Sequence, residues 1–134
     1  MNENKLREQV CILASSMFER GITHGSTGNI SVRLDNDDIL VTPSGSSFGR
    51  LDPNEIVKVT KSGHFIGSLS PTKELPLHKA FYETRGMKSG AVVHLHSTHS
   101  VALSMLPGID EDNVLPSYTP VSYTHLTLPT ILLV

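Results

Sequence analysis

The sequence predicts an α/β fold in which helices pack on the faces of a largely antiparallel sheet. Three patterns carry this: a helical stripe near the N-terminus, two hairpin patterns after it, and a helix and strand beyond. Within residues 5–20, Leu6, Val10, Leu13, Ala14, Met17 and Phe18 share one helical face, and Gly21 stands where a C-terminal cap belongs. GITHGSTGN follows as a loop rich in Gly, Ser and Thr. Ile30-Ser31-Val32-Arg33-Leu34 alternates like a half-buried strand, Asn36-Asp37-Asp38 turns the chain, and Ile39-Leu40-Val41 returns as the second arm.

A second small-residue loop, TPSGSSFG, fills residues 42–49. Residues 56–59 and 64–66 read as another hairpin around Ser62-Gly63. Ser70-Pro71-Thr72-Lys73-Glu74 sets small hydroxyl residues before a helix over 74–84, and Pro76 is tolerated in its first turn. Gly90 breaks the chain ahead of AVVHLH, residues 91–96, which read as a buried strand. Residues 98–106 suggest a short helix that Pro107-Gly108 ends. No internal repeat occurs.

Composition narrows the function. A chain of 134 residues with 38% hydrophobic and 18% charged residues fits one globular domain. A net charge of -2, no basic run and no Trp give nucleic acid and anionic membranes nothing to bind. No segment is long and apolar enough to span a bilayer, and MNENKLREQ lacks the apolar core of a secretory signal. The single cysteine, Cys11, lies in the first helical stretch and reads as an inert, buried thiol. The expected compartment is the cytoplasm.

Two histidines two residues apart in a strand point to the same face, with Cβ atoms about 6–7 Å apart. His94 and His96 therefore suit one divalent transition metal, which needs about three protein ligands and an open position for catalysis. His packed locally in a core is the competing reading of such a pair. His99 stands open between a third ligand and an exposed helix residue. Glu74, at a helix N-terminus that favours its ionised form, is the acid/base candidate, although acids in first turns also serve helix stability alone. His78, one turn on, reads as a packing or supporting residue. Three loops offer backbone N–H groups and hydroxyls without bulk, as a phosphate cradle requires: Ser26-Thr27-Gly28-Asn29, Thr42-Pro43-Ser44-Gly45 and Ser70-Pro71-Thr72-Lys73. Lys73 adds a point charge. None matches a Walker loop or a Rossmann fingerprint, so nucleotide binding is not indicated.

Taken in order, GSTGNIS, TPSG, PTKELPLH and AVVHLHSTHS resemble the class II aldolase/adducin family of sugar-phosphate aldolases and epimerases, from about Leu6 to Pro120. The resemblance implies a three-layer α/β/α domain, usually a homotetramer with sites at subunit interfaces. It makes His94 and His96 zinc ligands and Glu74 the acid/base, which also touches the metal when substrate is absent. It assigns the substrate phosphate to Gly28 and Asn29, Ser44 and Gly45, and Thr72 and Lys73. The third zinc histidine of the family has no counterpart in this sequence. Within the family, AVVHLHSTHSVALSML and GIDEDNVLPSYTP look most like the branch that decarboxylates 3-oxo-tetronate 4-phosphate to dihydroxyacetone phosphate and CO2 through a metal-stabilised enediolate. Retro-aldol cleavage or 4-epimerisation of a sugar phosphate, and a non-catalytic adducin-like role, are the alternatives.

The chain's end departs from this pattern. VSYTHLTLPT, residues 121–130, resembles one reading frame of a transposon-end sequencing adapter. The expectation is that residues 1–120 form the N-terminal part of a class II aldolase-like domain and that 121–134 are a non-native tail. With two histidines and no third, such a chain is expected to bind zinc weakly and turn over little.

Overall fold

The computed structural model describes residues 2–86 and 90–107. They fall into two compact units, Met1–Leu95 and His96–Val134. The first unit runs α1 (Glu3–Glu19), β1 (Asn29–Arg33), β2 (Ile39–Val41), a single 3-10 turn (Phe48–Arg50), β3 (Val57–Val59), β4 (Phe65–Ile66), α2 (Leu75–Arg85) and β5 (Ala91–His94). The second contains α3 (Thr98–Ser104), whose first turn closes with the Val101 N–H donating to the Ser97 carbonyl at 2.9 Å.

The strands form one sheet in the order β4-β3-β2-β1-β5, and every neighbouring pair is antiparallel. Side chains alternate between its faces, and each face gathers its own core. Val10 and Ala14 of α1 pack with Ile30, Leu40, Phe48 and Ile56 on one side. Tyr82 of α2 packs with Ile39, Val41, Val57, Val59 and Val92 on the other. This is the expected helix–sheet–helix layering.

Three local expectations need correction. The β1 segment does not alternate between buried and exposed: Asn29, Ile30 and Ser31 are all buried, because helices cover both faces of the sheet there. The AVVHLH strand is shorter and more open than predicted. It stops at His94, lies at the sheet edge, and buries Val92 while Val93 stays exposed. Its length is set by β1, whose first residue, Asn29, pairs with His94. Gly28 immediately before it has φ +84°, which turns the chain out of the ladder. Finally, no hydroxyl residue caps α2; the N-cap is Glu74, with no side-chain cap bond. Thr72 Oγ1 instead accepts the Glu74 N–H at 3.3 Å, one turn ahead of the helix.

Asn2 caps α1 by accepting the Asn4 N–H at 3.0 Å. Of the predicted stripe, Leu13 falls on the flank of the buried seam and remains exposed. Cys11 is half-buried; burial pushes its thiol up to about 11, which leaves little thiolate at neutral pH and makes it inert as expected. Among the described residues no helix is long and apolar enough to cross a membrane. The expectations for residues 108–134, including the adapter-like tail, lie outside the described residues.

Candidate metal and acid–base site

The starts of β1 and α2 meet at the end of β5. Asn29 opens β1 opposite His94, and Glu74 stands at the head of α2. The Asn29 side-chain amide donates to Glu74 Oε2. The same oxygen lies 3.5 Å from His94 Nε2. The Glu74 side chain is 38% exposed and that of His94 14%, so the pair sits at a half-open surface that a small molecule can reach.

Glu74, His94 and His96 are the described residues able to hold a metal ion. His96 is exposed and lies just past the strand, so the pairing of the two histidines does not come from strand alternation, as the sequence suggested. Two peptide links nevertheless keep its Cα within about 7 Å of that of His94. Two imidazole nitrogens and a carboxylate oxygen are a donor set that fits a zinc-type ion and leaves a position for substrate. His99 is exposed on α3, which agrees with an exposed helix residue.

Behind Asn29 runs a buried polar row. His78 Nε2 is hydrogen-bonded to Asn29 Oδ1, and His78 Nδ1 lies 2.7 Å from Ser31 Oγ. Ser31 Oγ lies 2.7 Å from the Tyr82 hydroxyl. His78 is fully buried, and burial, helped by the neighbouring His94, lowers its pKa to about 4; it is neutral at physiological pH. Burial also raises the Tyr82 hydroxyl above its ordinary value. Arg33 braces Tyr82 from outside, with its guanidinium 4.6 Å from the ring centre and Nη2 donating to the Tyr82 carbonyl at 2.8 Å.

The sequence reading gave neither Ser31 nor Tyr82 a place in the site. A signal existed: Asn29 and Ser31 share a strand face, and His78 and Tyr82 are one helical turn apart.

The small-residue loops come together at this end of the sheet. The Ser44 N–H donates to the Ser70 carbonyl at 3.0 Å, the Thr72 N–H to the Thr42 carbonyl at 3.1 Å, and Pro43 bridges Pro71. Thr42 Oγ1 in turn accepts the Ile30 N–H at 3.1 Å. Ser44 and Thr72 thus spend their amides joining the loops. Ser44, Gly45 and Lys73 are exposed, whereas Thr72 is buried.

Gly28 holds the first loop against the site. A Cβ there meets the His94 carbonyl at 3.1 Å and the Leu95 and Phe48 side chains at 3.3 Å, in a backbone conformation L residues rarely adopt. Gly28→Ala is expected to cost about 1–3 kcal/mol, from αL strain and crowding together. A lowered urea midpoint at unchanged m-value checks this. A groove of about 360 Å³ lies at the far end of β1, among Leu6, Arg33, Asn36 and Lys58. Lys58 is tied to Glu3 at 2.9 Å, and no donor set for a metal gathers there among the described residues.

A sequence profile described as the class II aldolase and adducin N-terminal domain matches residues 8–131. The chain belongs to the class II aldolase and adducin family. It is 46% identical over 118 residues to a 3-oxo-tetronate 4-phosphate decarboxylase of Escherichia coli O6:H1, covering 88% of this chain and 55% of the relative. It is 35% identical over 106 residues to the L-fuculose phosphate aldolase of Escherichia coli K12, covering 79% of this chain and 48% of the relative. The fold superposes on the crystal structure of YgbL, a putative aldolase/epimerase/decarboxylase from Escherichia coli, with TM-score 0.81 and 43% identity over 88% of this chain and 56% of that one. The chain therefore spans about half the length of the curated relatives it matches. As a family member it carries the expected class II aldolase-like layering.

Proposed function

We propose that the chain provides the metal and acid–base centre of a carbon–carbon lyase that decarboxylates 3-oxo-tetronate 4-phosphate to dihydroxyacetone phosphate and CO2. The observation that carries this is the Glu74 carboxylate 3.5 Å from the His94 imidazole, beside joined small-residue loops. Similarity to decarboxylases at 46% identity supports the substrate class.

Glu74, His94 and His96 would hold the metal, and zinc is the ion their donors suit best. A divalent ion there supplies Lewis-acid stabilisation of the charge that develops on oxygen as the bond breaks. Loss of CO2 from a 3-oxo acid leaves its bonding electrons on the carbon beside the carbonyl. Glu74, having taken up a proton from solvent, delivers it to that carbon and is left ionised again, so each CO2 released consumes one solvent proton. Asn29 holds Glu74 in place through its amide. Gly28 shapes the loop beside His94, while Ser44, Gly45, Thr72 and Lys73 form the phosphate cradle. The exposed Ser44 hydroxyl, the Gly45 and Lys73 amides and the Lys73 ammonium face the charge, and buried Thr72 holds the loop together. The phosphate is remote from the reacting carbon, so gripping it supplies orientation.

The same proposal makes the protein cytoplasmic and homotetrameric, with Ile12 and Leu13 of α1 available to a neighbouring copy. Residues 121–134 remain, in this proposal, a non-native tail; the codons that encode them test it. Similarity to an L-fuculose phosphate aldolase favours retro-aldol cleavage as the second reading. The metal donors argue against a purely structural role.

Zinc titration by calorimetry tests the centre. The chain is expected to bind zinc weakly, with two histidines and one carboxylate, and His94→Ala to lower the affinity at least tenfold. A wild-type chain that ignores zinc defeats the proposal. For the reaction, residues 1–120 are joined to the remaining part of the decarboxylase relative, and released CO2 is compared with released aldehyde. Aldehyde without CO2 selects the second reading.

A further inference from the structure

We infer that His78 is a positioning residue: a one-way chain of hydrogen bonds from Tyr82 through Ser31 and His78 fixes the Asn29 amide so that its NH2 end holds the Glu74 carboxylate beside His94. The inference rests on the role proposed for Glu74. Its direction follows from what each group can donate or accept. An ionised Glu74 only accepts, so Asn29 Nδ2 donates to it and turns Oδ1 towards His78. That carbonyl oxygen also only accepts, so His78 Nε2 carries the ring proton. Neutral His78 then offers Nδ1 as an acceptor to the Ser31 hydroxyl at 2.7 Å. Ser31 Oγ accepts in turn from the Tyr82 hydroxyl at 2.7 Å.

Both elements are built for this. Asn29 and Ser31 point to one face of β1, and His78 and Tyr82 to one face of α2. Among the described residues no buried side-chain polar atom lacks a partner, so the row is fully satisfied. Such a row fixes one arrangement, whereas a half-satisfied one is costly. Turning the Asn29 amide over would set its carbonyl against the Glu74 carboxylate, acceptor facing acceptor. His78 makes that flip unfavourable by demanding the carbonyl for itself. Partners that orient a metal ligand in this way are typically worth 10–100-fold in metal affinity.

The test uses the 15N-labelled chain without metal, followed by zinc titration. Wild type is expected to show the neutral Nε2–H tautomer of His78 and slowly exchanging Asn29 side-chain amide protons. In His78→Leu those protons should exchange fast and zinc affinity should fall about tenfold. In His78→Gln, whose amide can donate near the place of Nε2, most of the affinity should return. An Nδ1–H tautomer in wild type overturns the inference, even if His78→Leu fails to fold. So does equal Asn29 exchange, or equal zinc affinity, in a folded His78→Leu. A wild-type chain with the expected tautomer and protected Asn29 protons that binds no zinc supports the relay and counts against the metal centre alone.

Discussion

Replacing Glu74 with glutamine is expected to cut CO2 release by about 10²–10⁴-fold, the usual weight of a positioned acid/base. The loss should appear in kcat more than in KM. Glutamine keeps the shape of the side chain and an oxygen that can still accept from Asn29, but it cannot deliver the proton. The fold should barely register the change. Glu74 makes no cap hydrogen bond at α2 and its side chain is 38% exposed, so the melting temperature should move by no more than a few degrees. Glu74→Asp, which keeps the charge and withdraws it by one methylene, should fall between the two. The fused chain described above, saturated with zinc and followed in single turnover, gives the measurement. Glutamine activity within tenfold of wild type would remove Glu74 from proton transfer.

The second large effect is acid instability. In the unfolded chain His78 takes up a proton around pH 6.5, but in the folded chain burial holds its pKa to about 4. Between these values the unfolded state binds the extra proton, so stability falls as the pH drops. The His78 contribution is complete above pH 6.5 and is lost progressively towards pH 4. That interval is worth about 3 kcal/mol at 1.36 kcal/mol per unit. Glu3, Asp37 and Asp38 are all lowered, chiefly by Lys58 for the first and Lys61 for the other two, and they add loss of the same sign at lower pH. Urea midpoints between pH 7 and pH 4 should show the decline. His78→Gln should flatten it above pH 5, and an unchanged slope in that variant would assign the effect elsewhere.

The layering was legible because it depends on local patterns. Ile39-Leu40-Val41, the turn before it and the stripe through Val10 and Ala14 each announce an element and a face. The extent of β5 was not legible. Nothing within AVVHLH says that pairing stops at His94; that is decided by Gly28 and Asn29, more than sixty residues earlier in the chain. The proposed metal donors were singled out for a partly mistaken reason. The histidine spacing was read as strand alternation, whereas His96 lies beyond the strand and is kept near His94 by covalent reach. Asn29 was legible only as part of a phosphate loop. Its amide bonds with Glu74 and His78, partners 45 and 49 residues away, are not announced by any local pattern. Single-residue chemistry names such a group, but only the packing of α2 across the sheet says which way it turns.

Glu74 occupies the N-cap of α2 without capping it. That position favours Ser, Thr, Asp or Asn, and a side chain that satisfies a first-turn amide there is worth roughly 0.5–2 kcal/mol. The helix therefore begins on a residue poorly suited to starting it, and Thr72 covers part of the deficit from upstream. A selection for thermal robustness alone would be drawn to this position and would replace the carboxylate. The weak helix start is the local stability cost of placing at this position the carboxylate proposed as the acid/base.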